Sequence, residues 1–139
     1  MTEVLLATDS DAVFDEVDAA LADETTTIVR LHAGEDVADA VARSTPDLVV
    51  LDMQIGNMGG VAACLELRNE AGAGRLPEVP VLLLLDRTAD VFLARRSQAD
   101  GWLIKPLQAF GLRRTAQALM EGEPGLVDQT AALPYLGAT

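Results

Sequence analysis

The chain has 139 residues and a formal net charge of −12, from 22 acidic and ten basic side chains. Half of the residues are hydrophobic, so the composition excludes intrinsic disorder, and the length predicts one domain with a sizeable core. A single cysteine (Cys64) and a single histidine (His32) exclude a disulfide framework and a Cys/His zinc site. The acidic charge predicts no nucleic-acid partner, and no apolar run has the length of a membrane span. We therefore expect a cytoplasmic protein without direct membrane insertion.

Ten elements alternate along the first 121 residues. Apolar and β-branched runs predict strands over residues 3–7, 25–31, 48–51, 81–85 and 102–104. Apolar residues at helical spacing predict helices over residues 11–23, 35–44, 61–68, 90–97 and 108–121. Largely apolar strands are typical of a parallel sheet that is buried on both faces. Together with right-handed crossovers, this alternation predicts a three-layer α/β sandwich of five parallel strands.

Polar side chains stand at the ends of three predicted strands. Asp9 follows the first strand, Asp52 ends the third, and Lys105 follows the fifth. In a parallel sheet the carboxyl ends of the strands share one edge, where ligands bind. Two carboxylates and an ammonium at one edge suit phosphoryl chemistry, with one acid as nucleophile, another beside Mg²⁺, and the lysine neutralising charge. Taken singly, each residue is more simply a helix cap or a surface charge, so the prediction depends on their combination.

With these residues in place, the chain over residues 3–121 resembles the receiver (CheY-like) domain of two-component response regulators. The matching segments are Thr8-Asp9, residues 46–53, Gly59-Gly60 and residues 99–107. The resemblance implies a flavodoxin-like fold with strand order 2-1-3-4-5. It also implies that Asp52 is the phosphoacceptor and that Lys105 contacts the phosphoryl group. Further implied positions are a magnesium site at Asp9, Asp52 and Gln54, switch positions at Leu85 and Trp102, and a cis bond between Lys105 and Pro106.

The sequence departs from the family pattern around this site. Thr8 replaces a usual acid, which should weaken the binding of Mg²⁺, a cation that prefers carboxylate oxygen. Leu85 replaces a threonine or serine whose hydroxyl bonds the phosphoryl oxygen, so the link to the aromatic at Trp102 is missing. Asp86 adds negative charge beside an anionic site, and Gly56 replaces a proline and frees the backbone there.

These departures predict a stand-alone, degenerate receiver that acts mainly as a protein-binding adaptor, for instance as an accessory subunit of a larger assembly. The alternative is a functional single-domain response regulator, phosphorylated on Asp52 by a histidine kinase, with another group such as Thr88 in place of the missing hydroxyl. Neither hypothesis makes the protein an enzyme. We expect no obligatory cofactor, and Mg²⁺ binding that is weak or absent.

The segment from residue 86 to 114 is locally basic, with six basic side chains against three aspartates. The family commonly binds partners with its fourth helix, fifth strand and fifth helix. This predicts an interaction face for an acidic partner formed by Arg95, Arg96, Trp102, Arg113 and Arg114. The alternatives are a solvated helix surface for the arginines and, for Trp102, a sheet residue covered by the last helix.

Residues 122–139 form a C-terminal tail that begins with the helix-stopping sequence Gly122-Glu123-Pro124-Gly125. The tail carries hydrophobic side chains, including Leu133, Tyr135 and Leu136, without helical or strand periodicity. These side chains predict a docking segment that folds back on the domain or lies in a groove of a partner. A passive extension is the alternative.

Overall fold

The structure is a computed structural model, and it describes residues 1–56 and 58–122. The tail residues Leu133, Tyr135 and Leu136 lie outside the described residues, so the docking role of the tail stays a prediction. No helix in the described part of the chain is long and apolar enough to cross a membrane.

Strands and helices alternate through the described residues. The strands are β1 (Thr2–Ala7), β2 (Thr26–Leu31), β3 (Leu48–Asp52), β4 (Val81–Leu85) and β5 (Gly101–Ile104). The α-helices are α1 (Asp11–Leu21), α2 (Val37–Ser44), α3 (Gly60–Gly72), α4 (Val91–Arg96) and α5 (Ala109–Met120). Short 3₁₀ turns at Gly34–Asp36 and Thr88–Asp90 lead into α2 and α4. Every strand and helix predicted from the sequence is present.

All neighbouring strands pair in parallel, in the order β2-β1-β3-β4-β5. This order confirms the predicted three-layer sandwich of the flavodoxin-like type. The chain leaves β1 toward β2 on one side and then crosses to β3 on the other side. The carboxyl ends of β1 and β3 therefore flank the point where the strand order reverses, which is where open α/β sheets bind ligands.

Two core layers cover the sheet, because successive strand residues point to opposite faces. Val4, Leu6 and Leu84 belong to the layer that includes the buried side chains of α1 and α5. Leu5, Leu83 and Leu85 belong to the layer of α2, α3 and α4. Every residue of β3 and β4 is buried, which explains why both strands are almost entirely apolar in sequence.

Cys64 is fully buried in α3. Its Sγ donates to the backbone oxygen of Ser97 at 3.3 Å. Burial raises the pKa of the Cys64 thiol, because the thiolate would lose its hydration in the core.

Gly60 lies where the start of α3 passes close to the end of β3. A Cβ atom at this position would be 2.5 Å from the backbone oxygen of Asp52, which cannot move without displacing the strand. We expect Gly60→Ala to lower the free energy of unfolding by about 1–3 kcal/mol, measured by urea denaturation. The control is Gly72→Ala at the end of α3, where nothing lies within 4 Å of the new methyl group and the change should be neutral or slightly stabilising. Equal losses in the two variants would contradict this steric explanation.

Candidate functional site

The carboxylate of Asp52 lies at the end of β3, is only 1% exposed, and accepts hydrogen bonds on both oxygens. Its Oδ1 accepts from Nζ of Lys105 at 2.6 Å and from the backbone N–H of Gln54 at 3.1 Å. Its Oδ2 accepts from the hydroxyl of Thr8 at 2.7 Å. A buried carboxylate needs such partners, because leaving its oxygens without donors would cost several kcal/mol. Both oxygens are therefore already engaged by groups of the protein.

Lys105 lies between two carboxylates, since its Nζ also donates to Oδ1 of Asp86 at 2.9 Å. Burial alone would raise the pKa of Asp86, but the hydrogen bonds from Lys105 and Gln54 and the charges of Lys105 and Arg87 outweigh it and lower that pKa. Burial would also lower the pKa of Lys105, whereas the hydrogen bonds and charges of its two carboxylate partners raise it. The sequence pointed to Asp86 only as an added negative charge, and it missed that Asp86 shares the lysine with Asp52.

Thr8 comes directly after β1 and is fully buried, and its hydroxyl donates to Oδ2 of Asp52. The same hydroxyl oxygen accepts from the backbone N–H of Ser10 at 3.0 Å, and the backbone N–H of Thr8 donates to Leu31 at 3.0 Å. The sequence analysis considered Thr8 only as a poor ligand for Mg²⁺. The structure gives it a second role, because it occupies one oxygen of Asp52.

Asp9 is exposed, and its carboxylate accepts the backbone N–H of Gly56. A Cβ atom at Gly56 would lie 2.9 Å from Oδ2 of Asp9, so the close approach depends on glycine. In residues 1–56 and 58–122, no group of three or more His, Cys, Asp or Glu side chains could hold a metal ion. Magnesium prefers several free oxygen ligands in octahedral geometry. Oδ2 of Asp52 and Oδ2 of Asp9 each accept a protein donor, and weak or absent binding of Mg²⁺ at Asp9, Asp52 and Gln54 stays a prediction.

The two predicted switch positions are both inside the core. Leu85 is fully buried and Trp102 is 1% exposed, and both belong to the layer of α2, α3 and α4. Nε1 of Trp102 has no hydrogen-bond partner among the described residues, and the guanidinium carbon of Arg95 lies 5.9 Å from the centre of its ring. The prediction that Trp102 anchors an exposed face is wrong for this structure, because β5 directs the side chain inward. It packs in the layer that contains α4, not under the last helix.

The remaining residues of the predicted interaction face divide into two groups. Arg95 and Arg96 on α4 and Arg114 on α5 are exposed. Arg113 is also exposed, and it donates from Nε to the backbone oxygen of Ala20 at 3.0 Å, which ties α5 to α1. Its place on the interaction face stays a prediction.

Exposed aromatic rings accompany these arginines, which the sequence analysis did not single out. Phe92 on α4 is 62% exposed and Phe110 on α5 is 72% exposed. The guanidinium carbon of Arg96 lies 5.3 Å from the centre of the Phe92 ring, within the range of a cation–π contact. Thr88, the alternative hydroxyl for the switch, is exposed at the start of its 3₁₀ turn.

A family model described as the response regulator receiver domain matches residues 4–117. The chain belongs to this family. This membership confirms the resemblance found in the sequence, and the cis bond between Lys105 and Pro106 is present as the resemblance implied. The receiver geometry brings Asp52 and Lys105 together, while their roles as phosphoacceptor and phosphoryl contact stay predictions.

Among curated proteins, this receiver is similar to the transcriptional regulatory protein AfsQ1 of Streptomyces coelicolor. The two are 28% identical over 134 residues, which is 94% of this chain and 57% of AfsQ1. It is also 33% identical over 101 residues to the DNA-binding response regulator MtrA of Mycobacterium tuberculosis, covering 66% of this chain and 42% of MtrA. The chain thus spans about half the length of the curated relatives it matches.

Solved structures support the fold. A putative response regulator from Chloroflexus aurantiacus matches with a TM-score of 0.77 and 19% identity, covering 86% of this chain and 98% of that one. The Vibrio cholerae chemotaxis protein CheY4 matches with a TM-score of 0.74 and 22% identity, also covering 86% and 98%. At these identities the likeness establishes the receiver fold alone.

Proposed function

We propose that this receiver acts mainly as a protein-binding adaptor whose phosphorylation switch is degenerate. The observation that carries the proposal is Leu85, fully buried against the core at the end of β4. A phosphoryl group on Asp52 would bring further negative charge and three oxygens that need donors. Lys105 can supply one donor, whereas Leu85 offers only carbon atoms.

Signal transmission needs a group whose contacts differ between the free and the phosphorylated state. Leu85 cannot distinguish the two states by hydrogen bonding, and Trp102 is already inside the core. The Thr8 hydroxyl adds to this because it occupies Oδ2 of Asp52, whereas phosphoryl transfer needs a free carboxylate oxygen as nucleophile and a cation that neutralises charge. Phosphorylation is therefore expected to be weak and to change the binding surface little.

The binding role rests on the exposed side chains of α4 and α5. Arg95, Arg96 and Arg114 provide positive charge, and Phe92 and Phe110 provide aromatic surface. Arginine and aromatic residues are enriched among the side chains that dominate binding energy at protein interfaces. A protein partner with acidic and apolar groups fits this combination, either as a kinase or as part of a larger assembly.

The test is a binding measurement with a partner captured from native lysate and then purified. We expect the double variant Arg95→Glu/Arg96→Glu to weaken binding at least about tenfold, because two attractive charges become repulsive. The control Arg43→Glu changes an exposed arginine of α2 and should leave the affinity unchanged. Asp52→Asn should also bind like the wild type. A large loss in Asp52→Asn, with no loss in the α4 variant, would contradict the proposal.

A phosphorylated response regulator is the second candidate, and one observation favours it. Nζ of Lys105 lies 2.6 Å from Oδ1 of Asp52, so the acid and lysine pair of a phosphoryl site is assembled. If this candidate is correct, a small acyl phosphate should change the affinity for the partner, and Asp52→Asn should abolish that change.

A further inference from the structure

Arg30 of β2 directs its guanidinium to the loop that follows β1. Its Nε and Nη2 donate to the backbone oxygen of Thr8 at 3.3 and 3.2 Å, and its Nη1 donates to Oδ1 of Asp11 at 2.8 Å. The guanidinium carbon also lies 5.3 Å from the centre of the Phe14 ring. The planar fork of an arginine can make these bonds together, whereas a lysine would offer a single charged point. Arg30 therefore joins the loop to the start of α1.

With this contact, every polar group of Thr8 has a hydrogen-bond partner. Its N–H donates to Leu31, its carbonyl accepts from Arg30, and its hydroxyl donates to Asp52 at 2.7 Å. The two peptide groups on either side of the Thr8 Cα atom are therefore both held, which fixes the direction in which the side chain leaves the backbone. Arg30 is also the only arginine or lysine in residues 1–42, a segment with 11 acidic side chains, so no second arginine or lysine of that segment can replace it.

We propose that Arg30 is a positioning residue for the acceptor site. By holding the carbonyl of Thr8, it keeps the Thr8 hydroxyl on Oδ2 of Asp52 and so keeps that oxygen occupied. The inference rests on the proposed function, since it explains how the Thr8 hydroxyl is kept on Oδ2 of Asp52 in the degenerate site. It assigns a role to a side chain that touches neither Asp52 nor Lys105.

The amide of Ser10 provides a direct reporter, because it donates to Oγ1 of Thr8 at 3.0 Å. We expect Arg30→Met to speed hydrogen exchange of the Ser10 amide about tenfold, as expected when a hydrogen bond of about 1.4 kcal/mol is released. Methionine keeps an apolar stem against Phe14. The matched control is Asp11→Asn, which removes the ion pair and leaves the two bonds from Arg30 to Thr8. Exchange in the control should stay within about twofold of the wild type.

The second readout is the NMR signal of the Asp52 carboxylate carbon. Thr8→Val removes the hydroxyl and should move this signal, and Arg30→Met should move it part of the way in the same direction. In the Thr8→Val background, Arg30→Met should move it no further, because the positioning acts through the hydroxyl. Arg30→Lys is a milder variant and should give an intermediate shift if Arg30→Met fails to fold.

An unchanged Asp52 signal and an unchanged Ser10 amide in a folded Arg30 variant would overturn the inference, and the adaptor proposal would stand. Stable phosphorylation of wild-type Asp52 would overturn the adaptor proposal instead, and the coupling of Arg30 to Thr8 would stand. A merely structural role would lower the melting temperature in Arg30→Met and Asp11→Asn alike without singling out the Asp52 signal, which also contradicts the inference.

Discussion

Lys105→Met should lower the free energy of unfolding by about 3–5 kcal/mol at pH 7, the largest effect expected from a single change in this protein. The substitution keeps a long apolar stem and removes the charge. Asp52, which is 1% exposed, and Asp86 would then share a pocket without their cation. The loss is large because it leaves buried charge uncompensated, and it can be measured by urea denaturation.

The pH dependence of this loss follows from the pKa directions. The pKa of Asp86 is lowered from its ordinary value of 3.8, so its contribution to stability is present above that value and disappears as the pH falls through the folded-state pKa. The pKa of Lys105 is raised from 10.5, so its contribution is present below that value and disappears as the pH rises through the folded-state pKa. The contribution of Lys105 and Asp86 to the stability of the wild type should therefore be complete between about pH 5 and pH 10 and decline on either side.

Arg75→Met is the control for this prediction. Arg75 is 64% exposed and pairs at 2.8 Å with Glu70, which is 31% exposed, so water screens the interaction. Its removal should change stability by no more than about 1 kcal/mol. A similar small loss in Lys105→Met would mean that the pocket is hydrated and that the lysine does not hold it together.

Thr8→Asp should make the protein dependent on a divalent cation. The change removes the donor to Oδ2 of Asp52 and places a second carboxylate beside it. Without cation, like charges in a buried site should lower the free energy of unfolding by about 2–4 kcal/mol. Millimolar Mg²⁺ should restore most of this loss, because the new acid supplies an oxygen ligand and binding to the folded state stabilises it. Thermal melting with and without Mg²⁺ measures both effects.

Thr8→Val separates the missing hydroxyl from the added charge. It should lose about 1–2 kcal/mol, through the unpaired oxygen of Asp52, and it should not respond to Mg²⁺. The wild type should respond weakly as well. Stabilisation of the wild type by Mg²⁺ as strong as that of Thr8→Asp would show that Thr8 does not weaken the cation site.

The sequence was sufficient for the fold and for the composition of the site. Apolar runs such as residues 48–51 and 81–85, each flanked by predicted helices, indicate parallel strands, because helices cover both faces of a parallel sheet. The shared edge of a parallel sheet then brings Asp52 and Lys105 together without further information. The receiver motifs added the strand order, which the elements alone leave open.

The side-chain contacts around Asp52 could not be predicted from the sequence. The bond of Lys105 to Asp86 depends on where the loop after β4 directs its first side chain. The hydrogen bonds from Arg30 to the carbonyl of Thr8 depend on the register of β1 and β2. The hydrogen bond from Arg113 to Ala20 joins residues that are 93 positions apart. Trp102 shows the same limit, because the inward or outward direction of a residue on a four-residue edge strand follows from its pairing with β4.

The measurement that bears most directly on the degenerate switch is intact mass spectrometry of the purified protein after incubation with Mg²⁺ and a small acyl phosphate, beside Asp52→Asn treated alike. Because Leu85 offers no hydrogen bond and Thr8 occupies Oδ2 of Asp52, we predict no stable phosphoryl adduct that depends on Asp52. A stoichiometric adduct in the wild type that is absent from Asp52→Asn would contradict this and would make the protein a working phosphorylated response regulator.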